Sequence, residues 1–411
     1  MPEPLVQPFR GLRPVADKAQ SVAAPPYDVM SSAEAREMAA GNPLSFLHIS
    51  RPEIDLPEGT DVYSDEVYAK GGENMARMVA DGVMVRDENP SYYVYRVAMD
   101  GHVQTGIAAA GSMEAYETNL IRRHETTRPD KETDRVKQIE AVNAHTGPVF
   151  TTHADNAELS HVVASVTTTP PAYEARNVGR ADHSLWVVSE DDLIGRITQA
   201  FQDIGVIYIA DGHHRSAAAS RVAAARRAEH GAGPWDRFLI VSFPESEVQI
   251  IDYNRVVKGL NGRDAEAFLA ALGEAFLVEK RDGAAKPEIR RTFGMYLAGN
   301  WYSLKPKSDV PAGAPAEDRL DVSLFNARVI GPILGITDQR SDPRIDFIGG
   351  ARGMAELERR VGSGEWDAAF AYYPISVAEL MAVADAQADM PPKITWFEPK
   401  LADGMVSLVL D

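Results

Sequence analysis

The sequence predicts an α/β (α+β) protein, with a mixed sheet core followed by a smaller α+β C-terminal part. Three observations predict it. The apolar runs LWVV (185–188), VIYIA (206–210) and RFLIVSF (237–243) have strand length and are separated by helix-forming segments, the alternation that marks α/β and α+β cores. SYYVYRVAM (91–99) and HVQTGIAAAGSM (102–113) flank Asp100-Gly101, a favoured hairpin dipeptide. An Ala-rich helix follows VIYIADG without a linker.

The elements follow in order. Residues 1–60 are punctuated by proline in PFRGLRP, APPYDVM and GNPLSFLH, which reads as ordered loops between short elements. SSAEAREMAAG (31–41) is a serine-capped helix closed by glycine, and EVYAKGGENMARMVADGVMV (66–85) is a helix running into a strand. Pro129 suits the first turn of a helix that Thr127 or a neighbour caps. There Lys131, Arg135 and Gln138 share one face, beside a packed face marked by Val136 and Ile139. Beyond residue 262 the pattern shifts to a helix (264–276), a hairpin turned at Gly299-Asn300 and a last strand, MVSLVL (405–410). The boundary near 262 gives two parts, 1–262 and 263–411.

Composition narrows the function. The chain has 411 residues, no cysteine and a net charge of −18. Disulfides, thiolate nucleophiles and cysteine-ligated metals are excluded, and the lack of cysteine fits a reducing cytoplasm. No apolar run approaches the roughly 18 residues of a membrane span. Nucleic-acid binding draws on cations that neutralise phosphates, and an acidic chain without a basic tail opposes it. A small-molecule partner is expected.

The strongest chemical signal is Asp211-Gly212-His213-His214-Arg215, between the 206–210 strand and the Ala-rich helix. A helix N-terminus carries partial positive charge and outward N–H groups, so it attracts anions. Asp211 is placed to cap the helix, Gly212 permits close approach and Arg215 can grip a phosphate through two N–H groups. Two histidines and an arginine at that end repel the dipole unless an anion sits among them; the other reading is a satisfied turn with core histidines. One metal ion on Asp211, His213 and His214 is disfavoured, because adjacent helical histidines diverge. Ahead of Pro129, His124-Glu125 forms a histidine–carboxylate pair near Lys131 and Arg135, suited to general base or phosphate chemistry or to a solvated, ion-paired helix. LGITDQRSDPRIDFIGG (334–350) reads as a salt-bridged loop or a ligand-facing turn. MPPKITWFEPKL (390–401) sets Lys393 and Lys400 beside Trp396 and Phe397, for nucleotide contact or for clamping the C-terminus. Asp28 in PPYDVM is a candidate acid. The GxxxxGK[ST], GxGxxG-after-strand, HExxH and GxSxG patterns are absent.

In order, PFRGLRP, APPYDVM, GNPLSFLH, RHETTRPDKETDR, TGPVF, IADGHHR, LGITDQRSDPRIDFIGG and MPPKITWFEPKL resemble the blocks of the family labelled domain of unknown function 1015. The DGHHR block resembles the phosphate turn of the ParB/sulfiredoxin-like superfamily, whose relatives include free L-serine kinases using ATP or ADP. The resemblance implies a ParB/sulfiredoxin-like strand–turn–helix core and a nucleotide-dependent phosphotransferase acting on a small hydroxyl metabolite, free L-serine first. It makes Asp211, Gly212, His213, His214 and Arg215 the phosphate turn. It also brings His124, Glu125, Lys131 and Arg135 to the site, with ATP or ADP and Mg²⁺ and no separate metal site. For such a phosphotransferase the catalytic candidates are Glu125 or Asp28, assisted by His124, and Lys131, Arg135 and Lys393 are the charge-neutralising ones. Asn254 stands where relatives are expected to carry histidine before Arg255, and Ile394 where they carry a hydroxyl. The alternatives are a non-catalytic nucleotide or phosphometabolite binder and a metal-dependent phosphatase. DNA partitioning is disfavoured by the acidic charge and the lack of a helix-turn-helix pattern.

Overall fold

The computed structural model describes residues 3–411, in two compact units. One runs to Val248 and regains Pro399–Asp411, and the other is Gln249–Glu398. The division falls earlier than residue 262 because Tyr253–Val257 is an inner strand of the second unit's sheet. The C-terminal strand Ser407–Val409 belongs to the first unit, paired with Gly11–Pro14 and Ala144–His145.

The first unit is built on an open nine-stranded mixed sheet. By first residue its main order is 121, 207, 149, 237, 102, 92, 181, 173. Ile207–Asp211 is parallel to Ile121–Arg122 and antiparallel to Val149–His153, which is parallel to Arg237–Pro244; the remaining pairs along this order are antiparallel. The hairpin turns at Asp100 and Gly101 with φ of 50° and 85°, the left-handed pair of a type I′ turn. Alternation assigns each face. Tyr92, Val94, Ile107, Ala109 and Ile240 join the core with residues of helices Ala157–Val166, Asp191–Ile204 and His213–His230. On the other face the Tyr93 ring meets Phe9 and the Tyr173 hydroxyl donates to the Met405 carbonyl.

Local signals set most boundaries. Ser32–Ala39 starts with a full capping box between Ser31 and Glu34. Pro129–Val142 opens on its proline, but Thr127 does not cap it: its hydroxyl donates to Glu132 instead. Gln138 is buried and donates to the Ile49 carbonyl, so its side of the helix is packed rather than solvated.

The second unit holds an antiparallel six-stranded sheet, in order 276, 300, 293, 368, 253, 345 by first residue. Its hairpin turns at Ala298-Gly299, one residue before the expected dipeptide, with both φ positive. Arg255 is fully buried there. Its Nε–H donates to Gln339 and its Nη groups to the carbonyls of Tyr253 and Pro392, with the guanidinium 4.8 Å above the Tyr372 ring. No carboxylate pairs with it among the described residues. Asn254 is also buried, donating to Asp252 and accepting from the Tyr372 N–H.

Candidate functional site

The site grows from one strand end. Ile207–Asp211 is buried by apolar residues up to Ala210, then the chain turns through Gly212 at φ 103° into helix His213–His230. A side chain is strained at that angle, and a Cβ there would lie 3.0 Å from the Arg215 guanidinium carbon. Gly212 is the N-cap without any side-chain cap bond, so Asp211 is not the cap expected of it. Its carboxylate is drawn instead to the Lys400 ammonium at 2.6 Å and to Arg215 at 3.6 Å. Burial pushes the Asp211 carboxyl up, but Lys400 and Arg215 outweigh it and hold it well below the usual range.

The loop ahead of Pro129 folds onto this turn. The His124 and His213 rings meet edge to face at 4.4 Å. His213 Nε2 accepts the His124 N–H at 3.5 Å, which leaves the proton on Nδ1, 3.8 Å from Glu125 Oε2. His214 Nε2 accepts the Arg128 N–H at 3.1 Å. Burial, then His124, push the His213 pKa well below its ordinary value. His213 is therefore neutral at the helix end, and the repulsion expected from three cations reduces mainly to Arg215.

Protein carboxylates surround that arginine. Arg215 donates to the Pro148 carbonyl and leans on Asp211, and Asp211, Asp28 and Asp403 all raise its pKa against burial. Asp403 is buried. Burial foremost, and Asp28 next among the causes that raise it, lift its carboxyl to about 7 against the pull of Arg215 and Arg135. An isolated backbone bridge between Ala24 and Asp403 ties the APPYDVM loop to the C-terminal segment. The Arg135 guanidinium lies 3.9 Å over the Tyr27 ring and is bonded to Asp134. A narrow cavity of about 30 Å³, lined by Tyr27, Arg135, Gly147 and Arg215 among others, separates these groups, room for one or two waters. Protein anions thus answer the charge that the sequence alone assigns to a guest. What remains open is partial: the Arg215, Lys400 and Asp211 side chains keep 14%, 23% and 28% of their exposure, beside backbone N–H groups with no intrahelical acceptor.

The expected residues are therefore brought together in large part. Asp211, Gly212, His213, His214, Arg215, His124 and Glu125 form one cluster, joined electrostatically by Arg135 and Asp28. Lys131 turns to the Tyr63 hydroxyl at 2.8 Å. Lys393 belongs to the second unit, with its ammonium 5.9 Å from the Tyr253 ring centre. The 334–350 loop is ion-paired, with Arg344 on Asp342 and Ser341 on Asp338. No group of three histidine or acidic side chains is arranged to hold a metal ion among the described residues. Sequence reasoning missed Asp403 and Tyr27, and offered Lys400 only as a nucleotide contact or a C-terminal clamp, not as the partner of Asp211. Asp403 carried one signal, an acid within the otherwise apolar LADGMVSLVL.

Fold and site together define an α+β protein with a strand–glycine–helix turn at which buried cations and carboxylates are closely balanced. The chain belongs to the family described as a protein of unknown function, DUF1015, whose pattern matches residues 6–323. No curated protein matches it. Among solved structures it is similar to a free serine kinase variant in complex with AMP, at 13% identity and a TM-score of 0.35, over 71% of this chain and 87% of that one. It is also similar to SbnI with a C-terminal truncation from Staphylococcus aureus, at 13% identity and a TM-score of 0.37, over 73% and 87%. A conserved hypothetical protein from Pyrococcus furiosus matches at 12% identity and a TM-score of 0.33, over 74% and 96%. No helix among the described residues is long and apolar enough to cross a membrane.

Proposed function

We propose that the protein is a nucleotide-dependent phosphotransferase acting on a small hydroxyl metabolite, with free L-serine the first acceptor to try. One observation carries this reading: the Glu125 carboxylate stands 3.8 Å from His213 Nδ1, at the first turn of the helix that follows Gly212. A base and a phosphate-binding turn then share one place, which transfer needs and which a solvated ion-paired helix would not supply. The acceptor and the nucleotide come from the resemblance of the DGHHR block to that superfamily.

The step divides simply. The acceptor hydroxyl oxygen bonds to the terminal phosphorus of ATP or ADP, the bond from that phosphorus to the bridging oxygen breaks, and ADP or AMP leaves. The hydroxyl proton passes to Glu125, which stands beside neutral His213. First-turn N–H groups and Arg215 receive the phosphoryl oxygens, while Arg135 and Lys400 offset developing charge, the positioning and neutralisation on which phosphoryl transfer depends. Magnesium carried by a nucleotide needs only one or two protein carboxylates. The exposed Asp28 fits that need and leaves Glu125, with a side chain 38% exposed, to act as the base. The ion would neutralise phosphate charge.

The test is incubation of the protein with Mg²⁺, ATP or ADP, and L-serine, following O-phosphoserine. Glu125→Gln is expected to slow turnover by roughly 10²–10⁴-fold, the range of a general base. Lys131→Met and Lys393→Met in the same assay test the charge-neutralising role assigned to those lysines. No product with either donor, from serine or a panel of small alcohols, overturns the reading. Tight nucleotide binding without turnover would leave a binding protein.

A further inference from the structure

The first unit contains a second cavity, of about 270 Å³, at the other end of the same strands. Asp211 pairs with Phe150 near the start of Val149–His153, whereas this cavity opens at His153 and Pro244, the carboxyl ends of two parallel neighbours. In open α/β sheets ligands lie outside the carboxyl ends of strands. The volume is just below the usual range for ligand pockets, so its occupant is small.

Its lining is divided. Ile107, Leu159, Val163 and Pro244 give an apolar wall between the sheet and helix Ala157–Val166. Two opposite charges stand on the polar side, both held by Thr105: the Arg96 Nε–H donates to its hydroxyl at 3.2 Å, and its own N–H donates to Glu247 Oε2 at 2.6 Å. Arg96 packs over the Trp186 ring at 5.1 Å and forms no ion pair with any carboxylate among the described residues. The Arg96 Nη groups and Glu247 Oε1 are left to meet a ligand. His153 is buried and bonded through Nδ1 to the Ser242 hydroxyl at 2.8 Å. Burial lowers its pKa to about 4, so it is neutral at physiological pH and adds no charge.

A cation and an anion bonded to the same threonine, neither answering the other, facing an apolar wall, are complementary to a small zwitterion. We infer that this cavity is a binding site for an α-amino acid with a compact aliphatic side chain, its carboxylate on Arg96, its ammonium on Glu247 and its side chain against Leu159 and Val163. A simple carboxylic acid would leave Glu247 unanswered and an amine would leave Arg96 so. The inference does not depend on the proposed transfer activity.

Titration calorimetry on the full chain with L-alanine, L-valine and L-leucine tests it, with N-acetyl-L-valine and isobutylamine as probes lacking one charge. At least one of the three amino acids is expected to bind with a 1:1 stoichiometry, and neither single-charge probe to match it. Arg96→Met and Glu247→Gln should each weaken that binding at least ten-fold, as expected when a charged partner is lost. Val163→Phe should abolish it by filling the space, which guards against a polar variant that fails for lack of folding. Arg215→Met should leave it unchanged. No heat from any of the three amino acids, equal binding of N-acetyl-L-valine, or binding that survives Val163→Phe would overturn the assignment.

Discussion

Replacing Gly212 by alanine tests whether the turn before helix His213–His230 is held open for a reason. Its φ of 103° is one that L-residues adopt at a strain of roughly 1–3 kcal/mol. The new Cβ would stand 3.0 Å from both Cζ and Nε of Arg215 and 3.1 Å from Nη2, all inside ordinary contact distance. Arg215 must swing away, yet it is bonded to the Pro148 carbonyl and drawn to Asp211. Taking about 2 kcal/mol for strain alone, and roughly 2–4 °C per kcal/mol for a unit of this size, Gly212→Ala should melt about 4–8 °C lower by calorimetry. Displacing Arg215 removes a charged hydrogen bond to any phosphate, about 1.5–3 kcal/mol, or roughly ten- to a hundred-fold in ATP affinity. Gly147→Ala is the control. Its Cβ would approach Arg215 Cδ at 3.3 Å and Asp403 Oδ1 at 3.4 Å without a positive φ, so it should melt near the wild-type temperature. An unaltered melting temperature in Gly212→Ala would refute the reasoning.

Three further outcomes follow from the charged groups. With its folded pKa near 7, above the unfolded 3.8, Asp403 contributes stability that is fully present below about pH 4 and lost as pH rises through 7, about 4 kcal/mol at most. His145, His153 and His183, lowered to about 4 chiefly by burial, slope the other way, so only the difference between wild type and Asp403→Asn in urea melts isolates it: the difference should change between pH 4 and 7 and be flat above, and a constant difference would count against a raised carboxyl. Lys400→Met takes from the Asp211 carboxylate the nearer of its two cations, leaving Arg215 at 3.6 Å, and should cost about 2 kcal/mol, discounted for partial exposure; adding Asp211→Asn should restore part of it, and additive losses in a double-mutant cycle would show no coupling. Arg255→Met leaves Gln339 and two carbonyls without a donor, an expected loss of about 3 kcal/mol that Arg255→Lys should not rescue because one ammonium cannot span three acceptors; rescue by lysine in denaturant melts would contradict that geometry.

Much of the fold was legible because its signals are local. Asp100-Gly101 fixes a hairpin by φ preference, Ser31 and Glu34 cap each other three residues apart, and Pro129 can only begin its helix. The site was legible as composition but not as charge. His213 looks cationic in sequence, and its neutrality depends on burial and on His124, which lies 89 residues earlier. Asp211 has the spacing of a cap, but Lys400, 189 residues later, claims its carboxylate. Asp403 enters only because Ala24 bridges to it, a pairing no periodicity announces. The boundary near residue 262 failed for the same reason, since Tyr253–Val257 takes its partners from strands about a hundred residues downstream.

The charge balance around Arg215 has a consequence for binding. In the free protein Asp211, Asp28 and Asp403 already oppose Arg215, Lys400 and Arg135, so a phosphate arriving at the first turn adds negative charge to a nearly neutral set. Asp211, pinned by Lys400 and Arg215, resists protonation. Asp403 is the group able to respond, because its carboxyl already sits near 7 and a neighbouring anion raises a carboxyl pKa further. Binding of ATP should therefore take up a proton between about pH 7 and 8, with the uptake fading below pH 6, where Asp403 is protonated beforehand. Calorimetric titrations at pH 7.5 in PIPES and in Tris, whose ionisation heats differ widely and neither of which is a phosphate, should give different apparent enthalpies for the wild type and equal ones for Asp403→Asn. Equal enthalpies for the wild type would mean that the phosphate does not enter beside Arg215, and the anion site would have to be sought elsewhere on the helix end.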